Sequence, residues 1–320
     1  MSTYYQIFGG KINVISSDPT DPIEGQVFYN TTSEVLKYRA ATTAGAWAAG
    51  GNLATARFGL GGAGTQTLAL GFGGAPPAAG LTATEEYDGT SWTSGGSLGT
   101  ARYFLTGAGT QTAGLAFGGF SAPSGRVANT EEYDGTSWTS GGSLGTARSE
   151  LGGAGTQTSA AAFGGFSTGS SNSTEEYDGT SWTAGGSLAT ARHQLAGAGT
   201  QTSALAFGGA PPKNATEEYD GTSWTAGGNL GTGRFGLAGS GAQTAALAFG
   251  GTLDPPITTA TEAYNGTSWT TETSMTTARR NLGSAGTQPS ALAFGGTPTT
   301  AATEEFTGAG AGVTKTVTGS

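Results

Sequence analysis

Along most of this chain, large apolar residues alternate with alanine or glycine in runs too short for a helix. Leu115-Ala116-Phe117 sits between a Gly-Thr-Gln-Thr stretch and a glycine pair, and similar runs recur down the sequence. Period-two patterning cut by glycine predicts β-strands, and no window without glycine sustains a 3.6-residue period. A second pattern follows each glycine pair: Thr-Glu-Glu-Tyr, then Asp-Gly, then Thr-Ser-Trp. Asp-Gly between two such segments predicts a tight hairpin, with one strand ending at Tyr and the next starting at Trp.

The two patterns belong to one repeat. Its arginine recurs at Arg57, Arg102, Arg148, Arg192, Arg234 and Arg279, and its tryptophan at Trp47, Trp92, Trp138, Trp182, Trp224 and Trp269. Between successive tryptophans the spacing varies from 42 to 46, and removing the stretch between the glycine pair and the next Thr-Glu motif leaves 36 every time. All length variation therefore lies in one loop. Each repeat predicts four strands: one after the arginine (Leu105 to Gly109 in the second repeat), the Leu-Ala-Phe run, the Thr-Glu-Glu-Tyr segment, and one from the tryptophan. Four antiparallel strands at this period match a propeller blade. The expected fold is all-β, a six-bladed β-propeller of four-stranded antiparallel blades.

The ends of the repeat array complement each other. The last repeat reaches Thr303 to Phe306 with no tryptophan strand after it, while Trp47 precedes the first complete repeat. Ala46 to Leu53 is therefore expected to close the last blade. This divides the chain into an N-terminal hairpin or attachment segment (1–40), the propeller (41–306) and a C-terminal tail (307–320).

The glycine pair Gly118-Gly119, then Tyr133-Asp134, then Trp138, with equivalents in the other units, resembles the kelch repeat over residues 41–306. Phe306 and Asn265 depart from that pattern, standing where tyrosine and aspartate recur. Ahead of the repeats, Glu24-Gly25-Gln26, Tyr29-Asn30-Thr31-Thr32 and Lys37-Tyr38 resemble a short module of tailed-bacteriophage virion proteins, especially fibres. That resemblance implies a virion protein that contacts other virion proteins through its N-terminal segment.

Composition narrows the chemistry. Sixty glycines would suit a flexible linker, but regularly spaced aromatics argue for a packed fold. A net charge of −9 argues against nucleic acid, and the absence of cysteine removes disulfides and thiolate metal sites. No apolar run is long enough to span a bilayer as a helix, and the N-terminal residues lack the pattern of a signal peptide. The expected location is the virion, after synthesis in the host cytoplasm.

The paired glutamates, such as Glu131-Glu132, lie at adjacent strand positions and point to opposite faces, so they do not converge as an acid–base couple. One glutamate per repeat is instead expected to pair with the repeated arginine. The Asp-Gly-Thr-Ser-Trp turns differ in spacing from the Asp box of sialidase-type propellers. No catalytic residue, metal site or cofactor is expected, and His193 reads as a surface residue.

Against this uniform background, the residues after each arginine and the loops after each glycine pair diverge. Strand direction puts both sets on one side of the disc, opposite the Gly-Thr-Gln-Thr and Asp-Gly turns. The candidate binding residues are Tyr103, Phe104, Arg126, His193, Gln194, Lys213, Phe235, Arg280 and Asn281. Aromatics beside charges on loops of a rigid scaffold suit a host-surface glycan or protein. The alternatives are an architectural decoration or spacer in the virion and, third, a polysaccharide-acting enzyme.

Overall fold

Alternation and turn chemistry act together in every repeat, and each repeat becomes one antiparallel sheet. The computed structural model describes residues 13–17, 27–41, 45–76, 79–122, 124–210, 214–253, 255–309 and 312–316. In the second blade Thr106–Gly109, Gly114–Phe117, Thr130–Tyr133 and Trp138–Ser140 run side by side, with Leu115 opposite Ala108 and Glu132, and Tyr133 opposite Trp138. The other blades repeat this order, giving six four-stranded sheets. The chain unit Ala46–Thr307 is a six-bladed β-propeller.

The sixth blade is completed from the far end of the sequence. Ala46–Ala49 pairs with Thr303–Thr307, setting Trp47 opposite Phe306. The paired strand is shorter than the expected Ala46 to Leu53, because Gly50 and Leu53 leave the ladder for single bonds to Thr303 O and Ala301 O.

The core is divided among the gaps between blades. One gap holds Leu115 and Phe117 against Leu144, Leu151, Ala160, Ala162 and Tyr177, with Trp182 covering its outer end. Both faces of each sheet are buried, so small residues near the axis and large ones further out fit a wedge-shaped space.

Polar bonds staple neighbouring blades at the same positions all round. Gln157 Nε2 donates to Gly114 O and Tyr133 O of the preceding blade, and Trp182 Nε1 donates to Thr130 Oγ1. At five of the six junctions a tyrosine adds a further bond, as where Tyr177 Oη donates to Glu132 at 2.5 Å. Burial, with that carboxylate alongside, pushes the tyrosine pKa up to about 12. The glycine pair completes the set: Gly119 N–H donates to Arg148 O of the next blade. A Cβ at Gly118, whose φ is +64°, would fall 2.6 Å from that same oxygen. Only glycine tolerates both this φ and this approach.

The arginines are interior. Arg148 is fully buried; its Nη1 donates to Gly164 O and Ser173 O, and its Nη2 meets Glu175 Oε1 at 2.8 Å. The other carboxylate oxygen, Oε2, accepts from Gly145 N. The first glutamate of every blade pairs with that blade's arginine, as expected from the sequence.

A second, smaller unit comes from residues before 46 and after 307. Its four-stranded sheet runs Asn13–Ile15, Val27–Asn30, Val35–Ala41, Gly312–Thr316, with the first pair parallel and the rest antiparallel. The stretch set apart in the sequence as a tail thus supplies one of its strands. Between Val27–Asn30 and Val35–Ala41, Asn30 Oδ1 accepts from Thr32 N and Ser33 N, so Asn-Thr-Thr makes the turn. Glu24-Gly25-Gln26 lie outside the described residues.

Candidate binding face at the axial mouth

The six innermost strands surround a cavity of about 220 Å³. At one end of it stand the second residues after each arginine: Gly59, Phe104, Glu150, Gln194, Gly236 and Asn281. Their backbones form a closed cycle, in which each N–H donates to the carbonyl of the same position one blade back. Phe104 N bonds Gly59 O, Glu150 N bonds Phe104 O, and so on until Gly59 N bonds Asn281 O, all at 2.6 to 2.9 Å. A cyclic chain of donors and acceptors polarises itself in one sense and holds each member's conformation.

That conformation is left-handed. Phe104, Glu150, Gln194 and Asn281 have φ of 52°, 59°, 54° and 53°. For residues with a Cβ this costs about 1–2 kcal/mol each. The two glycines of the ring lie under side chains from the next blade. A Cβ at Gly59 would lie 2.9 Å from Phe104 Cδ1, and one at Gly236 would lie 2.7 Å from Asn281 Oδ1.

Around the ring, the residue just after each arginine makes a β-bridge to the residue after the glycine pair: Tyr103 to Phe120, Ser149 to Phe166, His193 to Ala210, Phe235 to Thr252, Arg280 to Thr297. The two divergent segments therefore meet on one side. The opposite side carries the uniform turns, where a Cβ at Gly135 would lie 3.4 Å from Thr112 Cβ. There Asp134 accepts from Thr136 N and Ser137 N, which hold its carboxyl below the usual carboxylate range.

The mouth side has two chemically distinct halves. Over the first two blades, Phe58, Tyr103, Phe104 and Phe120 form an aromatic patch with ring centroids 5.1 to 6.3 Å apart. Over the third and fourth blades lies a polar cluster. His193 Nδ1 and Ser170 Oγ are 2.9 Å apart, His193 Nε2 is 3.8 Å from Glu150 Oε2, and Gln194 Nε2 donates to Glu150 Oε1 at 3.3 Å. Phe166 packs edge-on against the imidazole, and Arg126 lies 4.4 Å above the Phe166 ring.

His193 is therefore not the bare surface residue expected from the sequence, since its side chain is only 21% exposed. Burial lowers its pKa, with Glu150 opposing and Arg126 adding to the lowering. A hydroxyl, an imidazole and a carboxylate in one row invite comparison with a nucleophilic triad. At 3.8 Å the carboxylate is too far to orient the imidazole by a hydrogen bond, and the row orders the loop instead.

Of the sequence-predicted residues, Tyr103 and Phe104 join the aromatic half, and Arg126, His193 and Gln194 the polar half. Arg280 and Asn281 flank the mouth on the sixth blade, while Phe235 makes no ring contact among the described residues. Lys213 lies outside the described residues. Sequence reasoning passed over Phe58, Phe120, Glu150, Phe166 and Ser170. Phe58 and Glu150 occupy the same repeat positions as Tyr103 and Phe104, and Phe120 and Phe166 each open a divergent loop, so position in the repeat was the available signal. Among the described residues no three His, Asp or Glu side chains gather as a metal site. No family model matches the chain, and no curated protein matches it.

Proposed function

We propose that this chain is a structural protein of a bacteriophage particle whose propeller turns its axial mouth toward a glycan on the host surface. One observation carries the binding half of this reading. Four blades keep a side chain at a ring position whose backbone conformation favours glycine, and those side chains, Phe104, Glu150, Gln194 and Asn281, crowd one opening. Strain kept where the surrounding structure over-determines it points to use. An aromatic patch beside amide and carboxylate groups, on a surface only a few residues wide, suits a sugar better than a broad protein interface.

The particle half rests on sequence. Tyr29-Asn30-Thr31-Thr32 and Lys37-Tyr38 resemble the tailed-phage fibre module, and the blade motifs resemble kelch repeats. On this reading the smaller unit makes the contacts to other virion proteins and the propeller is the ligand-facing part. The blade-to-blade staples also suit a purely architectural spacer, the second reading.

The variant Phe104→Gly/Glu150→Gly/Gln194→Gly/Asn281→Gly separates them. Glycine relieves about 1–2 kcal/mol of left-handed strain per site, against an entropic cost of about 0.5–1 kcal/mol. The thermal midpoint should hold or rise, while binding on a glycan array and to host cells is lost. Unchanged binding by the stable variant would show that these side chains are not the site, and no binding by the unaltered protein would leave the spacer reading standing.

A further inference from the structure

The ionised side chains of the propeller sort by position, with Glu272 apart from the rest at the end of the fifth blade's outer strand. Six arginines are buried in pairs with the first glutamates, and five second glutamates accept from tyrosine hydroxyls of the following blade. Asp88, Asp134, Asp178 and Asp220 sit in the turns opposite the mouth. The two remaining described cations of this unit, Arg126 and Arg280, both lie on the mouth side. Neither has a carboxylate within ion-pair distance among the described residues, and the Arg280 Nε–H is buried without an acceptor.

Their placement relative to the aromatic patch is specific. Arg280 belongs to the sixth blade, on one flank of Phe58, Tyr103 and Phe104. Arg126 rises on the other flank, on the short hairpin of Phe120–Ser121 with Gly125–Arg126. Glu150, the described carboxylate of the mouth ring, is turned toward Gln194 and His193 over the other half.

We propose that the aromatic half of the mouth binds a polysaccharide whose sugars carry carboxylates, a proposal that rests on the glycan reading above. A pyranose packs its C–H face on an aromatic ring and presents its substituents at the edge. A carboxylate at that edge offers two coplanar oxygens, which match the guanidinium fork. Because the chain carries a net charge of −9, a polyanion is repelled by most of its surface. Arg126 and Arg280 give the mouth side positive charge to offer it.

The test compares a panel of carboxylated polysaccharides, polygalacturonate among them, with the same polymers after methyl esterification, which removes charge and keeps the backbone. Binding to at least one acid form is expected, weakening with salt and lost on esterification. Arg280→Gln and Arg126→Gln should each lower affinity about tenfold, with the thermal midpoint unchanged. Equal binding of acid and ester forms, or full affinity in both arginine variants, overturns the carboxylate proposal and leaves the glycan reading intact. No binding to either form, with none on a neutral glycan array, overturns both.

Discussion

Arg148 carries a charge into the gap between sheets and keeps it there only because each partner is in place. Burial draws its pKa below the ordinary value, while Glu175 pulls the other way. Its guanidinium makes three hydrogen bonds, to two carbonyls and one carboxylate, but its Nε–H meets no protein acceptor. Such a pair is poor evidence of net stabilisation, yet breaking it strands a buried carboxylate. Arg148→Ala should therefore cost about 3–5 kcal/mol, read as a lowered urea midpoint. Arg126→Ala, at an exposed position on the mouth side, should stay within about 0.5 kcal/mol. Equal losses in the two variants would contradict the interior role of the repeated arginines.

Between blades, the tyrosine-to-glutamate bond occurs at five of the six junctions, and the exception is instructive. At the junction of the fifth and sixth blades the hydroxyl is missing because the residue is Phe306, and the carboxylate is missing because the residue is Ala263. Both partners are absent together, and Trp47 packs there against Phe306 and Phe249 with centroids 5.1 Å away. Removing both halves of a buried bond avoids the cost of leaving one unsatisfied. Phe306→Tyr or Ala263→Glu alone should destabilise the ring, and the double variant should recover about 1–2 kcal/mol in a double-mutant cycle. Strict additivity would show that the two positions do not face each other.

Around the whole ring, closure depends on one short strand. Ala46–Ala49 supplies the outer edge of the sixth blade, and Trp47 Nε1 reaches Thr261 Oγ1 on the fifth. Deleting residues 1–45 together with 308–320 removes the smaller unit and should leave the propeller's thermal midpoint near that of the full chain. Deleting 1–54 with 308–320 also removes Trp47 and exposes the edge of Thr303–Thr307. Losing a packed tryptophan, about 3–5 kcal/mol, should lower the midpoint by about 10 °C, and the open edge should favour association between chains. Indistinguishable midpoints for the two deletions would refute this closure.

Strand and turn positions, the number of blades and the origin of the closing strand were legible because they rest on local rules. Alternation sets strands, Asp-Gly sets turns, and a fixed 36-residue module can vary in length only at one loop. The arginine–glutamate pairs were legible too, since each repeat holds one such arginine and its adjacent glutamates must point to opposite faces. What the sequence left open is which blade's residue meets which. In near-identical repeats Glu132 has no local reason to choose Tyr177 of the following blade over Tyr87 of the preceding one, and Gln157 none to reach back to Gly114. The angle at which successive blades pack decides that. It also decides the closed ring at the mouth, where residues roughly a repeat apart exchange backbone bonds, and the joining of Ser170, His193 and Glu150 across two blades. Local chemistry therefore made the blades, and only their closure into a ring brought the divergent side chains onto one opening.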